Sequence, residues 1–248
     1  MSSPYPTHLA ALFLLLFFIT WPRGDAPASH FSWLGHSECP GGPSACEKFV
    51  PSGFTALGQF KLSHYKVLDE AADQWRTEPK EAMLLSRDGH VIAHVGRKFK
   101  AKLEEEGTAR LLDGRMVNAE EKVGGQWRYL VIQDAPFGIG APGYKLMPYR
   151  TISVDPKRIP LGTVLYIPAL IGFPLPNSEM HDGFVFAHDM NEEHAVDSTI
   201  QLFLGFDDRA ATRLQQAAMK RHVKVYRADQ DTSKVLNRRF KAQFDWSG

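Results

Sequence analysis

Several segments of this chain alternate apolar and polar residues with the period of a strand. Phe60-Lys61-Leu62-Ser63-His64-Tyr65-Lys66-Val67 has this pattern, which suits a strand with one buried face. Segments 81–86 and 90–95 flank Asp88-Gly89, and segments 108–112 and 115–118 flank Asp113-Gly114. Asp-Gly between alternating apolar runs is a strong hairpin signal, so two hairpins are predicted. Trp127–Ile132 reads as a further strand and His222–Tyr226 as a closing one. Other segments depart from the pattern. Phe99–Glu106 has helical spacing with Gly107 as its stop, and Asp69–Trp75 has the makings of a helical turn. Asp207–Met219 carries acids at its start and bases toward its end, as a helix prefers. Residues 229–248 are polar with a few aromatics and read as a tail or a docked helix.

The densest chemistry lies between Pro148 and Gly205. Four short apolar runs there each end in a polar or turn residue, with Pro and Gly between them, which is strand punctuation. Asp155, Asp182, Asp189 and Asp197 fall at or near the run ends. No other part of the chain gathers carboxylates so closely beside β-type segments. Many short strands, frequent turns and a late helix favour a closed or nearly closed β-barrel over a parallel α/β sheet. The pattern does not give the strand order.

Composition narrows the partners. The chain has 248 residues, 44% apolar and 23% charged, enough for a substantial core. A net charge of +1 provides no global field that would draw nucleic acid. Residues 9–21 form an apolar run of signal-peptide length, short of the roughly 20 residues of a membrane span. The expectation is an exported protein, periplasmic or extracellular, whose mature chain begins near Ser29. Cys39 and Cys46 then read as a small disulfide loop.

The run Pro148-Tyr149-Arg150-Thr151-Ile152-Ser153-Val154-Asp155-Pro156, followed by Ile159-Pro160-Leu161-Gly162-Thr163, resembles the first half of the signature of the 3D domain. That family is named for three aspartates and includes lytic transglycosylase A and its secreted relatives. His181-Asp182-Gly183, Ala187, Asp189, Ile200, Phe203 and Gly205 extend the match, as does Leu103–Arg115 upstream. The resemblance implies a six-stranded double-psi β-barrel, so the expected fold is mainly β: that barrel with the hairpins and the one C-terminal helix read above. It also implies peptidoglycan as substrate, cell-wall association, and cleavage between N-acetylmuramic acid and N-acetylglucosamine with a 1,6-anhydro product. The expected organisation is a signal peptide over 1–28, a disulfide-held lead-in over 29–54, the barrel domain with N-terminal hairpins over 55–228, and a polar tail over 229–248. A monomer acting on glycan strands without a cofactor is expected.

This sequence departs from the signature in two places. The segment 189–196 keeps only its aspartate, and the family's third aspartate, its proposed acid/base, falls on Gln201. Glutamine can hydrogen-bond a sugar but cannot transfer a proton. An anhydro-forming enzyme can work with one carboxyl, because the sugar's own 6-hydroxyl attacks; a hydrolase usually needs two. The catalytic candidates are therefore Asp189 first, then Asp197 and Asp155, with Glu192 and Glu193 nearby. Gln201, Arg150, Asp182 and Tyr149 are the candidates for substrate binding. Two other readings are a non-catalytic glycan-binding or wall-loosening barrel, and a zinc peptidase or amidase using His181, His188, His194 and Asp189. The histidine spacings match no established ligand motif, and no metal is expected.

Overall fold

The computed structural model describes residues 50–141, 143–190, 198–217 and 222–244. The apolar run at 9–21, Cys39, Cys46, Glu192, Glu193, His194 and Asp197 lie outside them. Among the described residues, no helix is long and apolar enough to cross a membrane.

Six strands close into a barrel: β1 (Phe54–Tyr65), β8 (Thr151–Val154), β9 (Val164–Tyr166), β10 (Phe184–Met190), β11 (Thr199–Phe203) and β12 (His222–Ala228). Their order around the barrel is β1-β11-β8-β10-β9-β12. Two parallel pairs, β1 with β11 and β8 with β10, are linked by antiparallel pairings, which is the double-psi arrangement. Alternation decides the interior. Leu62, Ile152, Val154, Leu165, Val185, Ala187, Ile200, Leu202 and Val225 point inward and are essentially inaccessible to solvent. Closure also removes the unpaired edges that an open sheet of these short strands would expose.

The segment between β1 and β8 builds an accessory unit. β2 (Leu68–Asp69), β5 (Thr108–Arg110), β6 (Met116–Val123) and β7 (Gln126–Ile132) form one sheet, and β3 (Ala82–Leu85) pairs with β4 (Val91–Val95). Both predicted Asp-Gly hairpins form. A third hairpin escaped the sequence reading because β6 runs on past Asn118 to Val123. It turns on Gly124-Gly125, whose φ values of 59° and 80° suit a two-residue turn between twisted strands. Helix α1 is the short turn Asp73–Arg76, and α2 (Arg97–Glu106) ends at Gly107 as expected. Phe99 and Leu103 of α2 pack with Leu84, Val95, Val117 and Tyr129 in a core separate from the barrel interior.

A third apolar cluster joins the two parts. Val67, Met116, Ile132, Ala135, Leu146 and Phe203 bury one face of the accessory sheet against the outer wall of β11. Two helices follow the barrel core. Helix α3 (Asp208–Ala217) is capped by Asp207, whose carboxylate accepts the Ala210 N–H at 2.9 Å. Of the two readings of the C-terminal segment, the docked helix is the one seen. Helix α4 (Gln230–Phe244) is capped by Asp229 and buries Leu236 and Phe240 completely.

Candidate active site

The site begins with an irregularity in β10. Val185 and Ala187 point into the barrel and Phe186 points out, so simple alternation would send Asp189 into the apolar core. A β-bulge between Ala187 and Asp189 prevents this. Ala187 pairs with Ile152, and Asp189, not His188, pairs with the outward-facing Ser153. A bulge places two residues opposite one and re-aims the side chain that follows. Here it brings a carboxyl out of the core and onto the wall that faces the accessory sheet.

Ser153 also pairs with Gln201 on its other side, and Gln201 pairs with Ser63. Asp189, Ser153, Gln201 and Ser63 thus form one polar row across four adjacent strands. At about 4.8 Å per strand, Asp189 and Gln201 stand roughly 10 Å apart at the backbone. In this register both lie on the outer face of the wall, and Asp155 does not join the row.

Asp189 lines a cleft of about 180 Å³ between the barrel wall and the accessory unit. Tyr65, Lys66, Glu106, Thr108, Asn118 and Gly140 contribute to the lining. The Tyr65 hydroxyl donates to Asp189 Oδ2 at 2.7 Å, and the Ala141 and Met190 N–H groups donate to Oδ1 at 3.3 and 3.0 Å. Burial pushes the Asp189 carboxyl above its ordinary pKa, while these three hydrogen bonds pull the other way. The Tyr65 phenol is raised in turn, by burial first and by the Asp189 charge second. The loop closes this tightly because residue 140 is glycine: a Cβ there would lie 2.5 Å from the His188 carbonyl oxygen and 3.1 Å from Asp189 Cγ. His188 stacks on Tyr144 with ring centroids 4.2 Å apart, and burial holds its pKa down at about 3, so the ring beside Asp189 is neutral.

The other candidates fall elsewhere. Asp155 ends β8 in a turn: its Oδ1 accepts the Lys157 N–H at 2.9 Å and its carbonyl accepts from Arg158 and Ile159. Arg150, Asp182 and Tyr149 do not line the Asp189 cleft, because their polar groups are engaged in holding the barrel together. Arg150 is 6% exposed. Its guanidinium pairs with Asp182, donates to the Phe184 carbonyl at 2.8 Å and lies over the Phe240 ring at 4.8 Å. Burial pushes the Asp182 carboxyl up, but the Arg150 charge and the hydrogen bonds from Arg150 and the Phe184 N–H together hold it below its ordinary pKa. Tyr149 adopts φ 64° and donates its hydroxyl to Asp207 at 2.6 Å. Tyr149 and Arg150 instead back a second, more apolar cleft of about 520 Å³, which among the described residues shares only Leu146 with the first.

His181 is fully buried, with Nε2 donating to the Tyr149 carbonyl at 2.7 Å and Nδ1 accepting the Gly183 N–H at 2.8 Å. Both nitrogens are therefore committed to the backbone, which leaves none for a metal. Among the described residues, no group of three or more metal-ligating side chains is present. The residues that the sequence reading missed are Tyr65, Thr108, Asn118 and Gly140. All lie outside Pro148–Gly205, and only Thr108 falls in the upstream match; the closure of β1, the accessory sheet and the 136–148 loop brings them to Asp189.

Fold and site together define a double-psi barrel with a carboxyl-bearing cleft set against an accessory sheet. No protein-family model matches the sequence, and no curated protein matches it. Among solved structures, the chain is similar to the lytic transglycosylase MltA of E. coli with bound chitohexaose, at 14% identity over 71% of this chain and 75% of that one, with a TM-score of 0.46. It is also similar to a membrane-bound lytic murein transglycosylase from Agrobacterium tumefaciens (14% identity, 75% and 77% covered, TM-score 0.43). A third likeness is to the lytic transglycosylase LtgG of Burkholderia pseudomallei (16% identity, 71% of each chain, TM-score 0.35).

Proposed function

We propose that this protein is an exported, cell-wall-associated enzyme that cleaves peptidoglycan glycan strands as a lytic transglycosylase, with Asp189 as its single acid/base. The observation that carries the reading is the Asp189 carboxyl itself. It is brought to the cleft by a bulge, partly buried there, and its pKa is raised by that burial. The substrate class comes from the motif Pro148–Thr163 and its resemblance to the 3D domain.

The reaction needs no second carboxylate and no cofactor. Protonated Asp189 donates to the glycosidic oxygen as the bond from C1 of N-acetylmuramic acid to that oxygen breaks. The resulting carboxylate then takes the proton of the same sugar's C6 hydroxyl as O6 bonds to C1. Water is not consumed, and the acid is regenerated. General acid–base catalysis of this kind contributes typically 10²–10⁴ in rate.

The test is a digest of purified sacculi by the full protein, read by mass spectrometry. Products ending in 1,6-anhydro-N-acetylmuramic acid support the reading. Reducing-end sugars would make the protein a hydrolase. Bound but intact sacculi would leave the non-catalytic barrel, and chelator-sensitive peptide cleavage would indicate an amidase or peptidase.

A further inference from the structure

We infer that Tyr65 is a positioning residue for Asp189: its hydroxyl fixes Oδ2 as the oxygen that carries the transferred proton and stabilises the carboxylate left behind. As a role in catalysis, this rests on the function proposed above. As a statement about Asp189, it does not. Geometry separates the two carboxyl oxygens. Oδ1 accepts two backbone N–H groups, from Ala141 and Met190, and an oxygen engaged by two donors is the poorer place for a proton. Oδ2 faces the Tyr65 hydroxyl at 2.7 Å. A phenol can both accept and donate. Without substrate it accepts from protonated Oδ2; as that proton turns to the glycosidic oxygen and leaves, the phenol turns to donate to Oδ2. The second bond is charge-assisted and about twice as strong as the first.

Tyr65 is well placed for this. It ends β1 in register with Phe203, and its ring packs on Phe203 with centroids 5.0 Å apart. The hydroxyl is thereby held at the cleft by contacts that phenylalanine would keep. Among the described residues, the other titratable groups lining the cleft are Lys66, paired with Asp208, and Glu106, paired with Lys102 at 2.7 Å; His188, neutral and stacked on Tyr144, adjoins Asp189 in β10. Tyr65→Phe leaves all three in place.

The experiment compares wild type and Tyr65→Phe in the full protein. Asp189 is titrated by carboxyl-carbon NMR with its signal assigned through Asp189→Asn, and anhydro-product release is followed against pH. Losing a donor to the carboxylate should raise the Asp189 pKa by about one unit, a tenfold change in its ionisation constant. The alkaline limb of the pH profile should move up with it. An unmoved Asp189 titration in folded Tyr65→Phe overturns the inference, whatever the activity. A raised titration in a protein that releases no anhydro product sustains the inference and removes the proposed function instead. Replacing Tyr65 by 3-fluorotyrosine covers the case in which the phenylalanine variant does not fold. The more acidic phenol should shift Asp189 downward, and no shift again overturns the inference.

Discussion

Gly140→Ala is the sharpest structural perturbation of the candidate site that leaves every polar group in place. Gly140 is not among the positive-φ residues, so backbone conformation does not demand glycine here. Space does. An alanine Cβ would lie 2.5 Å from the His188 carbonyl oxygen, 2.8 Å from Leu146 Cδ2 and 3.1 Å from Asp189 Cγ. The leucine methyl can swing away, but the carbonyl belongs to the bulge of β10 and cannot move without disturbing the pairing of Asp189 with Ser153. The loop must retreat instead, and the Ala141 N–H then leaves Asp189 Oδ1. Overpacking of this kind costs about 1–3 kcal/mol. At roughly 2–4 °C per kcal/mol for a chain of this size, Tm should fall by about 2–12 °C. Thermal unfolding by circular dichroism measures the first effect. Anhydro-product release well below Tm measures the second, with a several-fold loss expected. A variant with the wild-type Tm and activity would show that the 138–141 loop does not close on Asp189 as described.

Two further outcomes test the frame around the site. Arg150→Ala strips Asp182 of its buried partner and should cost about 3–5 kcal/mol in denaturant unfolding, whereas the double variant Arg150→Met, Asp182→Leu should recover much of that loss; equal losses in both would contradict the pairing. Stability should also fall with acid. His181 titrates at about 4 when folded against 6.5 when unfolded, so the unfolded chain binds more protons between those values. Stability should therefore drop by up to about 3 kcal/mol as pH falls from 6.5 to 4. His188 adds to this in the same direction. The depressed carboxyl of Asp182 contributes stability that is lost only at lower pH, below the ordinary aspartate pKa, so the two effects separate. A urea midpoint that stays flat between pH 7 and 4.5 would contradict the neutral burial of His181.

The local elements were largely legible in the sequence. Asp88-Gly89, Asp113-Gly114 and Gly107 act within a few residues of themselves, and the structure turns or stops at each. Strand order was not legible. Both parallel pairs join segments far apart in the chain, such as Lys61 with Thr199, and nothing local specifies such a partner. The site was legible in part. Residue type and motif position pointed to Asp189, but the direction of its side chain depends on one extra residue in β10, which period-2 reading cannot detect. Arg150 and Asp182 looked like substrate ligands because charged residues beside a motif usually face solvent. Here Phe240 of helix α4 lies against the Arg150 guanidinium, and Arg150 and Asp182 satisfy each other. Tyr65 carried no signal, since its role exists only once β1 lies beside β11.

The most direct test of the central claim is a side-by-side sacculus digest with wild type, Asp189→Asn and Gln201→Asp, quantifying 1,6-anhydro ends by mass spectrometry. If Asp189 is the acid/base, Asp189→Asn should lose roughly 10²–10⁴ in product release while still binding sacculi, and Gln201→Asp should stay near wild type. Anhydro ends from Asp189→Asn at the wild-type rate, or from Gln201→Asp alone, would contradict it.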